Sequence, residues 1–117
     1  MSDDTGAVLI YATYPSSEVA QAAARILVED QLVACVNILP VMHSVYVWEG
    51  KVCEDKEVVG LFMTRASLAD QVVHAVEKNH PYDTPAILIL PVAGGGAGFL
   101  DWLKAQTRAD GREAKSK

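Results

Sequence analysis

Long apolar runs are missing from this sequence. No stretch approaches the roughly 18 residues of a membrane-spanning helix, so no membrane partner is expected. Cysteine is scarce: Cys35 and Cys53 are the only two, too few for a disulfide framework. Positive charge is scarce as well. Ten Lys and Arg face fifteen Asp and Glu, giving a net charge of −5. Four of those ten cations fall in the last ten residues, so residues 1–107 hold six cations against thirteen anions. A nucleic-acid surface needs a basic stripe to displace counterions from phosphates, and six scattered cations do not make one. No basic segment opens the chain, which starts Met1-Ser2-Asp3-Asp4. A secretory signal is therefore not expected, and the expected compartment is cytoplasmic.

Several site signatures are absent too. There is no Cys-x-x-Cys or His-x-x-x-His pair, so a closed zinc site is not expected. The run Gly94-Gly95-Gly96-Ala97-Gly98 matches neither the dinucleotide fingerprint nor a phosphate loop; it reads as a plain loop. No catalytic triad is recognisable by motif, and the chain is read as not an enzyme.

Half of the 117 residues are hydrophobic, which suits one globular domain. Residues 1–107 read as that domain and 108–117 as a polar C-terminal tail. Ala7 to Thr13 is a short apolar run closed by Pro15, the pattern of a buried central strand. Ser16 and Ser17 offer an N-cap for a helix over about 17–31. Ala34–Trp48 and Val52–Arg65 read as two long strands joined by a tight turn. Gly50 there is expected to take the positive φ of a type I turn plus bulge. Pro40 lacks a ladder donor and predicts an edge or a bulge. Ser67 is the expected N-cap of a second helix ended by His80-Pro81. Ala86–Val92 reads as a second buried strand. Phe99, Leu100, Trp102 and Leu103 suggest a short C-terminal helix with an apolar face.

The order strand, helix, strand, strand, helix, strand predicts an α+β fold. The simplest version is a ferredoxin-like βαββαβ sandwich with a short C-terminal helix and a long hairpin between its second and third strands. Each hairpin arm is about 13 residues, roughly 40 Å, which overruns a domain of this size. Either bulges bend it or its far end packs on another subunit. Tyr46 and Trp48 near the tip, and Trp102 on the last helix, are the candidate interface residues. A cross-strand aromatic pair within one chain is the alternative for the first two.

Specific motifs then line up. Cys35-Val36-Asn37-Ile38 follows the first helix, Tyr46-Val47-Trp48-Glu49-Gly50-Lys51 forms the hairpin tip, and Thr64-Arg65 ends the third strand. His80-Pro81-Tyr82-Asp83-Thr84-Pro85 precedes the fourth, and Leu100-Asp101-Trp102-Leu103 sits in the last helix. In this order and spacing, from about Val8 to Ala105, the chain resembles the CutA family of divalent-ion tolerance proteins. That resemblance implies a ferredoxin-like protomer in a homotrimer similar to PII signalling proteins. It also implies weak or moderate binding of copper or another divalent cation as metal partner. A PII-like trimer binding a small ligand in clefts between subunits is the alternative.

The family's copper ligands correspond here to Ala12, Asn79 and His80, so one imidazole remains of the set. Copper favours imidazole and thiolate donors. The candidate metal residues are His80, Cys35 and Asp83. His80 is alternatively a helix C-cap, Cys35 a small buried hydrophobe, and Asp83 the head of an Asx turn. Arg65, Lys56 and Glu57 are candidates for lining a ligand cleft, or else a solvated face.

Overall fold

The nearly continuous apolar run Ala7-Val8-Leu9-Ile10-Tyr11-Ala12-Thr13-Tyr14 builds the strand around which the fold is assembled. In the computed structural model, which describes residues 5–109, this strand β1 (Ala7–Tyr14) is hydrogen-bonded on both sides. It is followed by α1 (Ser17–Glu29), β2 (Cys35–Trp48), β3 (Lys51–Arg65), α2 (Ala69–Asn79), β4 (Ile87–Pro91) and α3 (Ala97–Ala105). The four strands form one sheet in the order β2-β3-β1-β4, with every neighbouring pair antiparallel. Among the described residues the chain is thus an α+β protein with a four-stranded antiparallel sheet and three α-helices.

The even-numbered residues of β1 and their cross-strand partners bury one face of the sheet. Ile10 meets Phe62, Ala12 meets Gly60, and Tyr14 meets Val58. Leu27 of α1 and Val72 and Val76 of α2 close over them as the main core. Ser16 caps α1 as expected, accepting from the Val19 N–H at 3.2 Å. The helix stops at Glu29, short of 31, because Gln31 turns into the left-handed region at φ 62°.

Other expectations need correcting. Ser67 is not the cap of α2. It lies inside a single 3-10 turn, Ala66–Leu68, and α2 begins at Ala69 with no side-chain cap. Burial of Leu68 pulls that turn inward. The hairpin tip is not a type I turn plus bulge. Trp48 pairs directly with Lys51, and both Glu49 and Gly50 have positive φ, 51° and 80°. That is the signature of a two-residue type I′ loop, whose twist matches the strands it joins. The bulge lies instead at Pro40, where the register slips between Leu39 and Met42. Finally, β4 is not buried. As an edge strand it leaves Leu88, Ile89 and Leu90 exposed.

The opposite sheet face is covered only at one end. There α3 lays Leu100 and Leu103 near Ala7, Ala34, Met63 and Val92. Arg65 locks α3 in place, donating from Nε to Thr107 Oγ1 at 2.9 Å and from its guanidinium to the Lys104 carbonyl at 2.6 Å. Arg108 belongs to the fold rather than to a tail. It donates to the Asp30 carbonyl at 3.0 Å and pairs with the Asp30 carboxylate at 2.9 Å. The rest of the expected tail, from residue 110, lies outside the described residues.

Candidate functional site

The uncovered sheet face holds a cleft of about 760 Å³ between the hairpin and the loop after α2. Register explains its walls. Beyond the Pro40 bulge, Met42 opposes Glu57, Ser44 opposes Asp55 and Tyr46 opposes Cys53. Directly opposed residues share a face, so Asp55 and Glu57 point the same way. The loop residues Tyr82, Asp83 and Thr84 close the other side.

Glu57 is a hub. Its Oε1 accepts from Ser44 Oγ at 2.7 Å and its Oε2 from the Tyr82 hydroxyl at 2.9 Å. Tyr46 donates its hydroxyl to Asp55 Oδ2. That bond, with some burial and the charge of Asp55, pushes the Tyr46 phenol up to about 12. Tyr82 is also pushed up to about 12, first by burial and then by its bond to Glu57. Asp55 and Glu57 both line the cleft from one face of β3, so its interior is negative.

His80 holds the loop in place. Its Nδ1 accepts the Tyr82 backbone N–H at 3.1 Å, and its Nε2 lies 2.7 Å from the Thr13 carbonyl. A carbonyl only accepts, so the neutral ring carries its proton on Nε2. The ring stacks on Tyr14 with centroids 4.5 Å apart and tilts against Tyr82 at 4.8 Å. Neither nitrogen has a free lone pair in this arrangement. At the other positions matching the copper ligands, Ala12 is a fully buried methyl, and the Asn79 amide reaches only the Ala75 carbonyl at 3.4 Å. The residues present do not fit a copper site there.

The three candidate metal residues are not brought together. Cys35 opposes Met63, with its Sγ 3.6 Å from the Met63 Sδ. Met63 in turn opposes Leu9, four residues from Thr13 on β1, a separation of about 13 Å along the strand. Burial pushes the Cys35 thiol up, which disfavours the thiolate a metal needs. Asp83 lines the cleft with its side chain exposed. Among the described residues no group of three or more His, Cys, Asp or Glu is arranged to hold a metal.

Of the three residues weighed as cleft lining, only Glu57 lines it. Lys56 opposes His43, its alternation placing it on the other face, and Arg65 is committed to α3. Tyr46 and Trp48 line the cleft as well as standing near the tip. Sequence reasoning missed the pairing of Tyr82 with Glu57 and Tyr46 with Asp55. The Asp-x-Glu spacing was a usable signal, but the bulge decides which β2 residues oppose it.

Comparison with known proteins follows the same pattern. The model of a family described as CutA1 divalent ion tolerance protein matches residues 8–106. The chain belongs to the CutA1 family. It is 43% identical over 101 residues to a chloroplastic CutA protein of Arabidopsis thaliana, covering 86% of this chain and 56% of that one. It is 42% identical over 99 residues to the divalent-cation tolerance protein CutA of Thermus thermophilus, covering 85% of this chain and 96% of that one. The chain therefore spans little more than half the length of the plant relatives it matches, 56% and 57%. The crystal structure of CutA1 from Oryza sativa superposes with a TM-score of 0.85 at 42% identity, over 88% of this chain and 94% of that one.

Proposed function

We propose that this CutA1-family chain serves divalent-cation tolerance as a cytoplasmic homotrimer, without catalysis. Its cargo is copper or another divalent cation held with weak to moderate affinity. The strand order β2-β3-β1-β4 supports a ferredoxin-like βαββαβ protomer. The names of its relatives supply the divalent cation. Assembly rests on one observation in this chain. Past the bulge, Val45, Val47 and Val52 stand on one face of the hairpin at 65%, 68% and 72% exposure. A projecting, valine-faced hairpin is costly in water and gains by docking on a neighbour. The exposed apolar edge strand β4 is a second surface of the same kind. Repeating one heterologous contact closes a ring.

Light scattering tests the assembly. The expected mass is about 38 kDa, three copies of the 12.6 kDa chain in a closed ring. A 12.6 kDa species at micromolar concentration refutes it. Calorimetric titration of the metal-free protein with Cu(II), Cu(I) and Zn(II) tests the cation, and no heat with any of them removes it.

The cleft favours a second reading, a PII-like protein that binds a small ligand between subunits. Its volume falls within the range of small-molecule sites, about 300–1,000 Å³. Titration with adenine nucleotides alongside the metals separates the two readings.

A further inference from the structure

We propose that the hydrogen bond between Tyr82 and Glu57 is a strut that sets the angle at which the long hairpin projects. This rests on the assembly reading and names the positioning residues that aim the hairpin at its neighbour.

The hairpin needs such a strut because of where its support ends. β1 pairs with β3 only as far as Tyr14 and Val58. Beyond that point residues 42–48 and 51–57 pair with each other and with no third strand. Seven residues of overhang span about 24 Å at the usual rise. The base of the overhang is the register slip between Leu39 and Met42, and a bulge bends a strand and increases its twist. A rotation of about 10° at that base moves the tip by about 4 Å, close to a whole strand spacing. Docked surfaces packed as densely as a protein interior do not absorb such a shift.

Among the described residues, two side-chain hydrogen bonds cross from the overhang to the body. One is weak, from the Tyr11 hydroxyl to the Met42 Sδ at 3.7 Å. In the other, the Tyr82 hydroxyl donates to Glu57 Oε2 at 2.9 Å. A bond to an ionised acceptor is roughly twice as strong as a neutral one. Both ends of this strut are held. Glu57 Oε1 accepts from Ser44, so the strut grips both arms of the hairpin just past the bulge. On the other side, His80 accepts the Tyr82 N–H and bonds to the Thr13 carbonyl of β1, and its ring lies against Tyr82. The bond from Tyr46 to Asp55 is different in kind. Both of its partners lie on the overhang, so it stiffens the hairpin without aiming it.

The test is dissociation of the full chain on dilution, followed by light scattering, with circular dichroism confirming that each variant folds. Tyr82→Phe removes only the donor. It should raise the half-dissociation concentration about tenfold or more, as expected for loss of a hydrogen bond to a charged group. Glu57→Ala should weaken assembly at least as much. The double variant Tyr82→Phe/Glu57→Ala should be no worse than Glu57→Ala, because the two side chains act through one bond. Glu57→Gln keeps an acceptor and should lie nearer the parent. Tyr46→Phe breaks the bond internal to the hairpin and should dissociate as the parent does. Weakening by Tyr82→Phe but not by Glu57→Ala overturns the strut, because the hydroxyl then meets the neighbour directly. Additive losses in the double variant overturn it too, as does an equal loss with Tyr46→Phe. A trimeric parent whose variants all dissociate alike overturns the strut and leaves assembly standing. A monomeric parent removes both.

Discussion

Replacing His80 by alanine distinguishes a structural bracket from a metal ligand. The imidazole bonds to the Thr13 carbonyl at 2.7 Å and to the Tyr82 N–H at 3.1 Å. Each such bond contributes about 1 kcal/mol net. The ring also stacks on Tyr14, which adds about 0.5–1.5 kcal/mol. The expected loss is therefore about 3 kcal/mol, and at about 4 °C per kcal/mol for a domain of this length the melting temperature should fall by about 12 °C. Thermal unfolding followed by circular dichroism measures it, at one fixed protein concentration because assembly shifts the midpoint. His80→Asn, which keeps one polar partner, should lie between parent and alanine. Copper uptake measured on the same samples should change little. A melting temperature within about 3 °C of the parent, well below what two lost hydrogen bonds predict, together with lost copper binding, would refute the bracket and restore the ligand.

Trp48 is 59% exposed in the protomer, so Trp48→Ala should leave the protomer fold nearly intact. It should weaken assembly by about 2–4 kcal/mol if it anchors a neighbour, and light scattering on dilution reads this as earlier dissociation. Tyr14, Tyr46 and Tyr82 are all pushed up to about 12. Because the folded values lie above the ordinary 10, the stability they contribute is fully present below pH 10 and lost as pH rises through 12. Ultraviolet titration should show tyrosinate appearing late, and Asp55→Asn should bring Tyr46 back toward its ordinary value; early ionisation of all three contradicts the hydrogen-bond and burial assignments. Gly60→Ala puts a Cβ 3.0 Å from Phe62 Cε1 and 3.5 Å from Tyr14 Cε2. Overpacking of this kind costs about 1–3 kcal/mol, measurable by urea unfolding, and an unchanged midpoint would mean that the Phe62 ring swings aside freely.

Local chemistry determined much of this protein. The apolar run of β1 suits a central strand, buried on both faces, and its consecutive residues Val8 to Ala12 pair with β3 on one edge and β4 on the other. Ser16 caps α1 because its hydroxyl reaches the Val19 N–H wherever that turn forms. Pro40 marks the bulge because it has no N–H to donate. The ordered motifs from Cys35 to Leu103 carried the family. Tertiary structure decided the rest. β4 reads as buried from composition alone, but its exposure depends on where it falls in the strand order. Ser67 reads as a cap, but the burial of Leu68 moves the start of the helix beyond it. Arg65 and Glu57 lie on one strand, yet one locks α3 and the other anchors the cleft, because each meets a different long-range partner. His80 is the clearest case. A sequence shows an imidazole, but the free lone pair that makes it a ligand depends on Thr13, 67 positions away, and only the folded chain brings the two together.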